Sequence, residues 1–214
     1  MDTIHLGELT WQEAKERFQL VDVALLPIGA VEQHGPHLPL DTDAFDAAHL
    51  AAEVATACST PQPVVLPLIP YGVSYHHDAF EGTIEVSPES LSRMVHDIGL
   101  SASRNGVKKL IMINGHGGIE TSTSLAVRPA LVRLDKARRF VPKFSNQYLD
   151  FTSKRSVTWY ARTHRISPSG VLGDPTKASR EKGERMWAVM VKNLVELVEH
   201  LKTMSLEEIY QTRY

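Results

Sequence analysis

A single cysteine, Cys58, stands in a chain of 214 residues, which excludes an internal disulfide framework. A lone thiol of this kind fits a reducing compartment, where it serves as a small buried apolar group. An excess of one charge is also lacking. Lysine and arginine number 23 against 25 aspartates and glutamates, a formal charge of -2. No basic block is long enough to track a phosphate backbone, so nucleic acid is not an expected partner. No apolar run approaches the roughly 20 residues that span a bilayer, and the opening MDTIHLGELTWQEAKERF has no basic stretch followed by an apolar one. These absences lead us to expect a cytoplasmic protein away from membranes. Internal repeats and low-complexity linkers are missing too, so the 43% hydrophobic content is expected to fill one core, in a single domain over residues 1–214.

What is present alternates between strand and helix signals. Thr10, with Glu13 three places on, has the spacing of a capping box at the start of a short helix. Residues 20–28 (LVDVALLPI) form a nearly continuous apolar run of strand length, and residues 63–69 (PVVLPLI) and 109–113 (KLIMI) repeat the signature. Such runs suit strands covered on both faces, as in a parallel sheet. Between them, residues 43–57 and 88–105 carry helical spacing, the second with Leu91, Met94, Ile98 and Leu100 on one stripe. Residues 177–202 read as a long helix with Met186, Val189, Val191, Leu194, Leu197 and Val198 on its apolar face, and residues 206–210 as either an exposed amphipathic tail or an interface arm. The order predicts an α/β fold, an open sheet with helices on both sides.

In open α/β sheets, binding residues gather where strands end and loops begin. The stretch EQHGPHLPLDTD, residues 32–43, directly follows the first apolar run and presents Glu32, His34, His37, Asp41 and Asp43 in its loop. A second polar cluster, NGHGGIE at residues 114–120, follows the run at 109–113 in the same way. Imidazole and carboxylate without thiolate suit zinc, manganese or iron, and a bridging carboxylate suits a two-metal hydrolytic site. Glu32 and His34, two apart, point to one side of an extended loop. His116 and Glu120, four apart, share a helix face if a helix starts at the double glycine.

Residues 28–43 (IGAVEQHGPHLPLDTD) resemble the signature of the creatininase (creatinine amidohydrolase) family. Residues 71–74 (YGVS), His77 and residues 80–84 (FEGTI) are similar to its second motif, with Glu81 where a proline is usual. Residues 114–118 (NGHGG) resemble its third motif and residues 170–178 (GVLGDPTKA) its C-terminal segment, so the similarity covers most of the chain. The resemblance implies a three-layer α/β/α sandwich with a mostly parallel central sheet. It implies homo-oligomers, commonly hexamers, and two divalent metal ions per chain that open a small cyclic or formyl amide. Zinc is expected first, with manganese or iron as alternatives. Carried over residue by residue, Glu32 and His116 would bind one metal, His34 the other, and Asp43 would bridge them. In creatininase itself a glutamate stands two places after the equivalent of His116, where this chain has Gly118; Glu120 would have to reach the second metal from farther on.

Family members place a helix, a strand and a substrate-facing segment between the Asn-Gly-His-Gly-Gly stretch and a later motif that closes in Glu-Thr-Ser. Here residues 120–122 (ETS) follow at once. The chain reads as contracted by roughly a strand–helix unit, with Glu120 corresponding to the glutamate of Glu-Thr-Ser. The missing stretch would carry the tryptophans and the acid/base histidine that creatininase uses around its substrate, which leaves His77, Trp159 and His164 as candidates by composition. The expected activity is that of a metal-dependent amidohydrolase: an activated water attacks the amide carbonyl, and His77, or Glu120 where it is not a ligand, passes the proton to the leaving nitrogen. Asp41 is expected to fix the ring of a ligating histidine. The alternatives are a formamide hydrolase or a peptidase of a cofactor pathway within the same family, or a non-catalytic metal-binding member.

Overall fold

The computed structural model of the protein describes residues 3–115, 120–141 and 162–211. Helix α1 (Trp11–Leu20) starts at the expected capping box: the Thr10 side chain accepts from the Glu13 amide, and the Glu13 carboxylate accepts from the Thr10 amide at 2.7 Å. Strand β1 (Val23–Ile28), helix α2 (Thr42–Ala57), strand β2 (Val64–Val65), helix α3 (Pro88–Arg104) and strand β3 (Lys109–Asn114) follow in alternation. After them come α4 (Glu120–Val127), the short α5 (Thr163–Ile166), the long α6 (Arg180–Thr203) and α7 (Leu206–Gln211). No helix among the described residues is long and apolar enough to cross a membrane.

The sheet runs in the order β2-β1-β3 with both pairings parallel. From the central β1 the chain crosses to one side through α2 and then to the other through α3. Parallel crossovers are right-handed, so opposite directions of travel put the two helices on opposite faces. Every residue of β1 is buried, as a strand covered on both faces requires. Ala51, Val54 and Ala55 of α2, Val198 of α6, and the partly buried Leu91, Val95, Ile98 and Ala102 of α3 complete its core.

Three expectations are corrected in detail. The second strand is shorter than the run at 63–69, although the chain stays beside β1 as far as Ile69, whose amide donates to the Pro27 carbonyl at 3.0 Å. The carbonyls of Leu25 and Pro27 both face this edge, so the missing N–H of Pro27 faces it too. The proline in β1 interrupts the ladder. On α3, Met94 and Leu100 are exposed and the packed stripe is Leu91, Val95, Ile98 and Ala102. On α6, Val189 and Leu197 are exposed, and the inner stripe runs Gly183, Trp187, Val191, Leu194 and Val198 at steps of three and four. Cys58 is buried as expected, and burial pushes its thiol up to about 11.

Candidate metal centre

Two glycines at the carboxyl ends of neighbouring strands determine where α2 begins. A Cβ on Gly29, just past β1, would stand 2.3 Å from the Cα of Ala44; one on Gly115, just past β3, would stand 2.1 Å from the carbonyl oxygen of Asp43. Without those carbons the first turn of α2 seats between the strand ends, and Asp43 is wholly buried there. The loop that leaves β1 folds back on itself: the Glu32 amide donates to the Leu40 carbonyl at 3.0 Å, and Ile84 donates to the Val31 carbonyl at 2.9 Å. This closure holds Glu32 and His34 over the same strand end as Asp43. The place is the crevice beyond the carboxyl edge of a parallel sheet, at the ends of β1 and β3.

Ligand atoms of Glu32, His34 and Asp43 all lie within 4.8 Å of one another. His34 Nδ1 is 3.0 Å from the carbonyl oxygen of Glu32, which can only accept, so Nδ1 carries a proton. That leaves Nε2, 2.9 Å from Asp43 Oδ1, as the nitrogen available to a metal. Burial disfavours the charged ring, but the Asp43 hydrogen bond and the charges of Asp43, Glu120 and Glu32 outweigh it and hold His34 above its ordinary value. A proton on Nε2 balances the pair in one way; a divalent cation taking both Nε2 and the carboxylate balances it in another. Two buried carboxylates against one imidazole form a donor set that fits such a cation.

The expected site residues fall into three groups. Glu32, His34 and Asp43 come together. Glu120, the first residue of α4, lines the same cavity and its charge acts on His34. His77 is buried in the cavity wall, with Nδ1 at 2.7 Å from Gln33 Nε2 and Nε2 at 3.3 Å from Glu32 Oε1. His116 and Trp159 lie outside the described residues. His164, on α5, is not among the side chains that line the cavity.

The expected role of Asp41 is corrected. Its carboxylate is half exposed and takes both oxygens to Arg128 Nη2 at 3.0 Å, while the Glu32 backbone carbonyl does the work on the His34 ring. The Arg128 guanidinium also lies 4.1 Å above the Phe45 ring, so this pair fastens α4 to α2. His37 is buried and turns Nε2 toward Thr121 Oγ1 at 3.0 Å, which ties the loop to α4. Burial lowers its pKa, with His34 adding to the effect. The residues that sequence reasoning missed are Gln33 and Asp46. Nothing in their spacing sets them apart from ordinary polar residues of a loop and a helix.

The cavity over the centre has a volume of about 450 Å³. Glu32, His34, His77 and Glu120 line it together with residues 170–172, Lys177 and Lys182. A sequence profile of the family described as creatinine amidohydrolase matches residues 7–119 and 117–198. The chain belongs to the creatininase family. The two matched pieces meet at residues 117–119, where the contraction was expected.

The chain is 30% identical over 222 residues to the mycofactocin precursor peptide peptidase of Mycolicibacterium smegmatis, covering 86% of this chain and 87% of that one. It is 25% identical over 261 residues to the creatinine amidohydrolase of Pseudomonas putida, covering 92% and 96%. Among solved structures, a manganese form of creatininase superposes with a TM-score of 0.80 at 24% identity, over 95% of this chain and 100% of that one. The creatininase-like α/β fold is therefore established, and the protein is a hydrolase of that family.

Proposed function

We propose that the protein is a metal-dependent amidohydrolase that cleaves a peptide C–N bond. The observation that carries the reading is the Glu32, His34 and Asp43 cluster, of which Glu32 and His34 line a cavity of about 450 Å³. That volume lies in the range of sites that enclose a ligand well beyond a single small ring. The likeness to a precursor-peptide peptidase over most of both chains supports a peptide rather than creatinine as substrate. Glu32, His34 and Asp43, completed by His116 and Glu120, would hold two divalent ions, zinc first, with manganese or iron as the alternatives. When bound, such a pair supplies a water of lowered pKa and polarises the amide carbonyl.

The rest of the work falls to the chain. Asp43, fully buried, and His34, locked by its Nδ1–H, keep the ligand geometry fixed. Glu120, which lines the cavity, would take the proton of the attacking water on a carboxylate oxygen not given to a cation and deliver it to the leaving nitrogen as the C–N bond breaks. His77, the other candidate for that transfer, has both ring nitrogens engaged by Gln33 and Glu32. We extend the proposal to a homo-oligomer, a hexamer by family, which light scattering on the purified protein would test.

The deciding experiment loads the protein with zinc or manganese and offers a peptide panel beside creatinine and formylamino-pyrimidines. Release of new amino termini from peptides is the expected result. Turnover of creatinine or a formyl amide with every peptide intact would overturn the substrate assignment, and no turnover by fully metallated protein would favour a non-catalytic member.

A further inference from the structure

Between the metal centre and the turn at residues 167–171 runs a series of hydrogen bonds whose direction the backbone dictates. The Gly35 amide donates to Gln33 Oε1 at 2.9 Å, and Gln33 Nε2 donates to the Gly170 carbonyl at 3.3 Å. A backbone N–H can only donate and a carbonyl can only accept, so the Gln33 amide has one permitted orientation. Its Nε2 also lies 2.7 Å from His77 Nδ1 and must donate there. An imidazole that accepts at Nδ1 carries its proton on Nε2, and His77 Nε2 stands 3.3 Å from Glu32 Oε1.

The seat of Gln33 is built with little slack. Gly170 has a φ of +76°, and a Cβ there would stand 1.7 Å from Gln33 Oε1. The turn that carries it is closed by the Gly170 amide on the Ser167 carbonyl at 3.2 Å and by the Ser167 hydroxyl on the Val171 carbonyl at 2.7 Å. Glu32, Gln33 and His77 are all buried, so water does not compete with these bonds.

From this geometry we infer that Gln33 and His77 are positioning residues for Glu32: Gln33 selects the Nε2–H tautomer of His77, and that N–H holds the Glu32 carboxylate toward His34 and Asp43. The inference rests on the reading of Glu32 as a metal ligand. It also removes His77 from a competing role. Ligand atoms of Glu32, His76 and His77 lie within 4.8 Å of one another and have the composition of a two-histidine, one-carboxylate metal site. A ligating Nε2 carries no proton, which would put a second N–H on Nδ1 against the donating amide of Gln33. The group is therefore a carboxylate clamp, and the cation belongs on the His34 side of Glu32.

The first readout needs neither metal nor substrate. In chelator-treated protein with nitrogen-labelled histidine, the His77 resonances, assigned by their loss in His77→Gln, are expected to show a protonated Nε2 and a bare Nδ1. A protonated Nδ1 with a bare Nε2 overturns the inference. The second readout is zinc affinity by competition with a chromophoric chelator. His77→Gln retains an N–H for Glu32 and is expected to bind zinc close to parental strength, whereas His77→Leu, without a donor, is expected to lose roughly 10–100-fold.

Equal loss in both variants would make the ring a ligand and overturn the inference, as would parental affinity in His77→Leu. A parent protein that takes up no zinc sinks the metal-centre reading together with the clamp. An Nδ1–H tautomer in a parent that does bind zinc sinks the clamp alone.

Discussion

Replacing Asp46 by asparagine isolates what it costs to keep one more carboxylate beside the metal centre. Asp46 lies three residues after Asp43 on α2; its Oδ2 accepts the Thr123 hydroxyl at 2.9 Å, and its Oδ1 is buried without a hydrogen-bond partner. Burial pushes its carboxyl from 3.8 to about 6; the charges of Glu120 and Asp43 add to the rise, while the Thr123 hydroxyl and Arg128 oppose it. A raised native pKa means that the folded protein holds this proton more tightly than the unfolded chain. The stabilisation is fully present below 3.8, declines as pH rises through about 6, and is gone above that. A shift of about two units, at about 1.4 kcal/mol each, is on the order of 3 kcal/mol, and relaxation of the partly exposed site makes that an upper figure.

Asparagine resembles the protonated acid, with a carbonyl oxygen for Thr123 and no charge. The assay is urea denaturation of chelator-treated parent and Asp46→Asn at intervals from roughly pH 4 to roughly pH 8. The advantage of the variant is expected to grow by up to ~3 kcal/mol between about pH 4 and about pH 6 and then level off. Any fixed penalty for the amide N–H₂ in the dry Oδ1 position shifts both ends equally and cancels in the comparison. A difference that stays flat with pH would refute the reasoning, because Asp46 would then titrate alike in the folded and unfolded states.

Three further outcomes can be checked directly. Asp43→Asn removes the charge of the most buried candidate ligand, and elemental analysis is expected to find about two metals per chain in the parent and a clear loss in the variant; equal content would move the site elsewhere. Gly29→Ala places a methyl 2.3 Å from the Ala44 Cα and should cost about 1–3 kcal/mol in urea denaturation, with a parallel drop in zinc affinity because α2 carries Asp43. No cost would mean that α2 is not held against the strand end. Thr10→Ala breaks the capping box of α1 and should cost about 1 kcal/mol by thermal unfolding with metal binding unchanged.

The fold was legible where one local signal dominated. The apolar run at 20–28 became β1 because a strand buried on both faces needs no alternation to announce it, and the run at 109–113 became β3 although Met112 on it is exposed. The run at 63–69 looked equivalent, but hydropathy does not register that Pro27 withholds a donor from the edge that β2 pairs with. The helical stripes went astray by one or two positions for a related reason. Met94, Leu100, Val189 and Leu197 are apolar by type yet exposed by geometry, and only packing distinguishes them from Val95, Ala102 and Trp187.

The site divides in the same way. Glu32, His34 and Asp43 could be found because a metal asks for particular side-chain types within a short loop. Gln33 could not, since its meaning depends on Gly170, 137 residues away, whose carbonyl fixes which way the amide points. Asp41 was misassigned because a carboxylate beside a histidine-rich loop offers the same composition whether it faces a ring or, as here, an arginine just past α4.

The arrangement also explains how so much negative charge can be assembled in a folded chain. Asp43 sits in the first turn of α2 and Glu120 opens α4, so both carboxylates occupy helix N-termini, where unpaired amides and the helix dipole favour an anion. Each such placement contributes about 0.3–1 kcal/mol, more when partly buried. That is too little to offset full burial of a charge, for which the effective penalty is several kcal/mol per ion. Glu32, in a loop, has no helix to help it and relies on the His77 contact and the rest of its surroundings. The residual negative charge is what raises His34, and it is what a divalent cation would answer. Chelator-treated protein should therefore be less stable than the zinc form by the binding linkage, and the gap should narrow in Asp43→Asn, where one of the charges awaiting the cation is gone. A zinc-induced stabilisation unchanged by that substitution would mean that the cation answers some other charge.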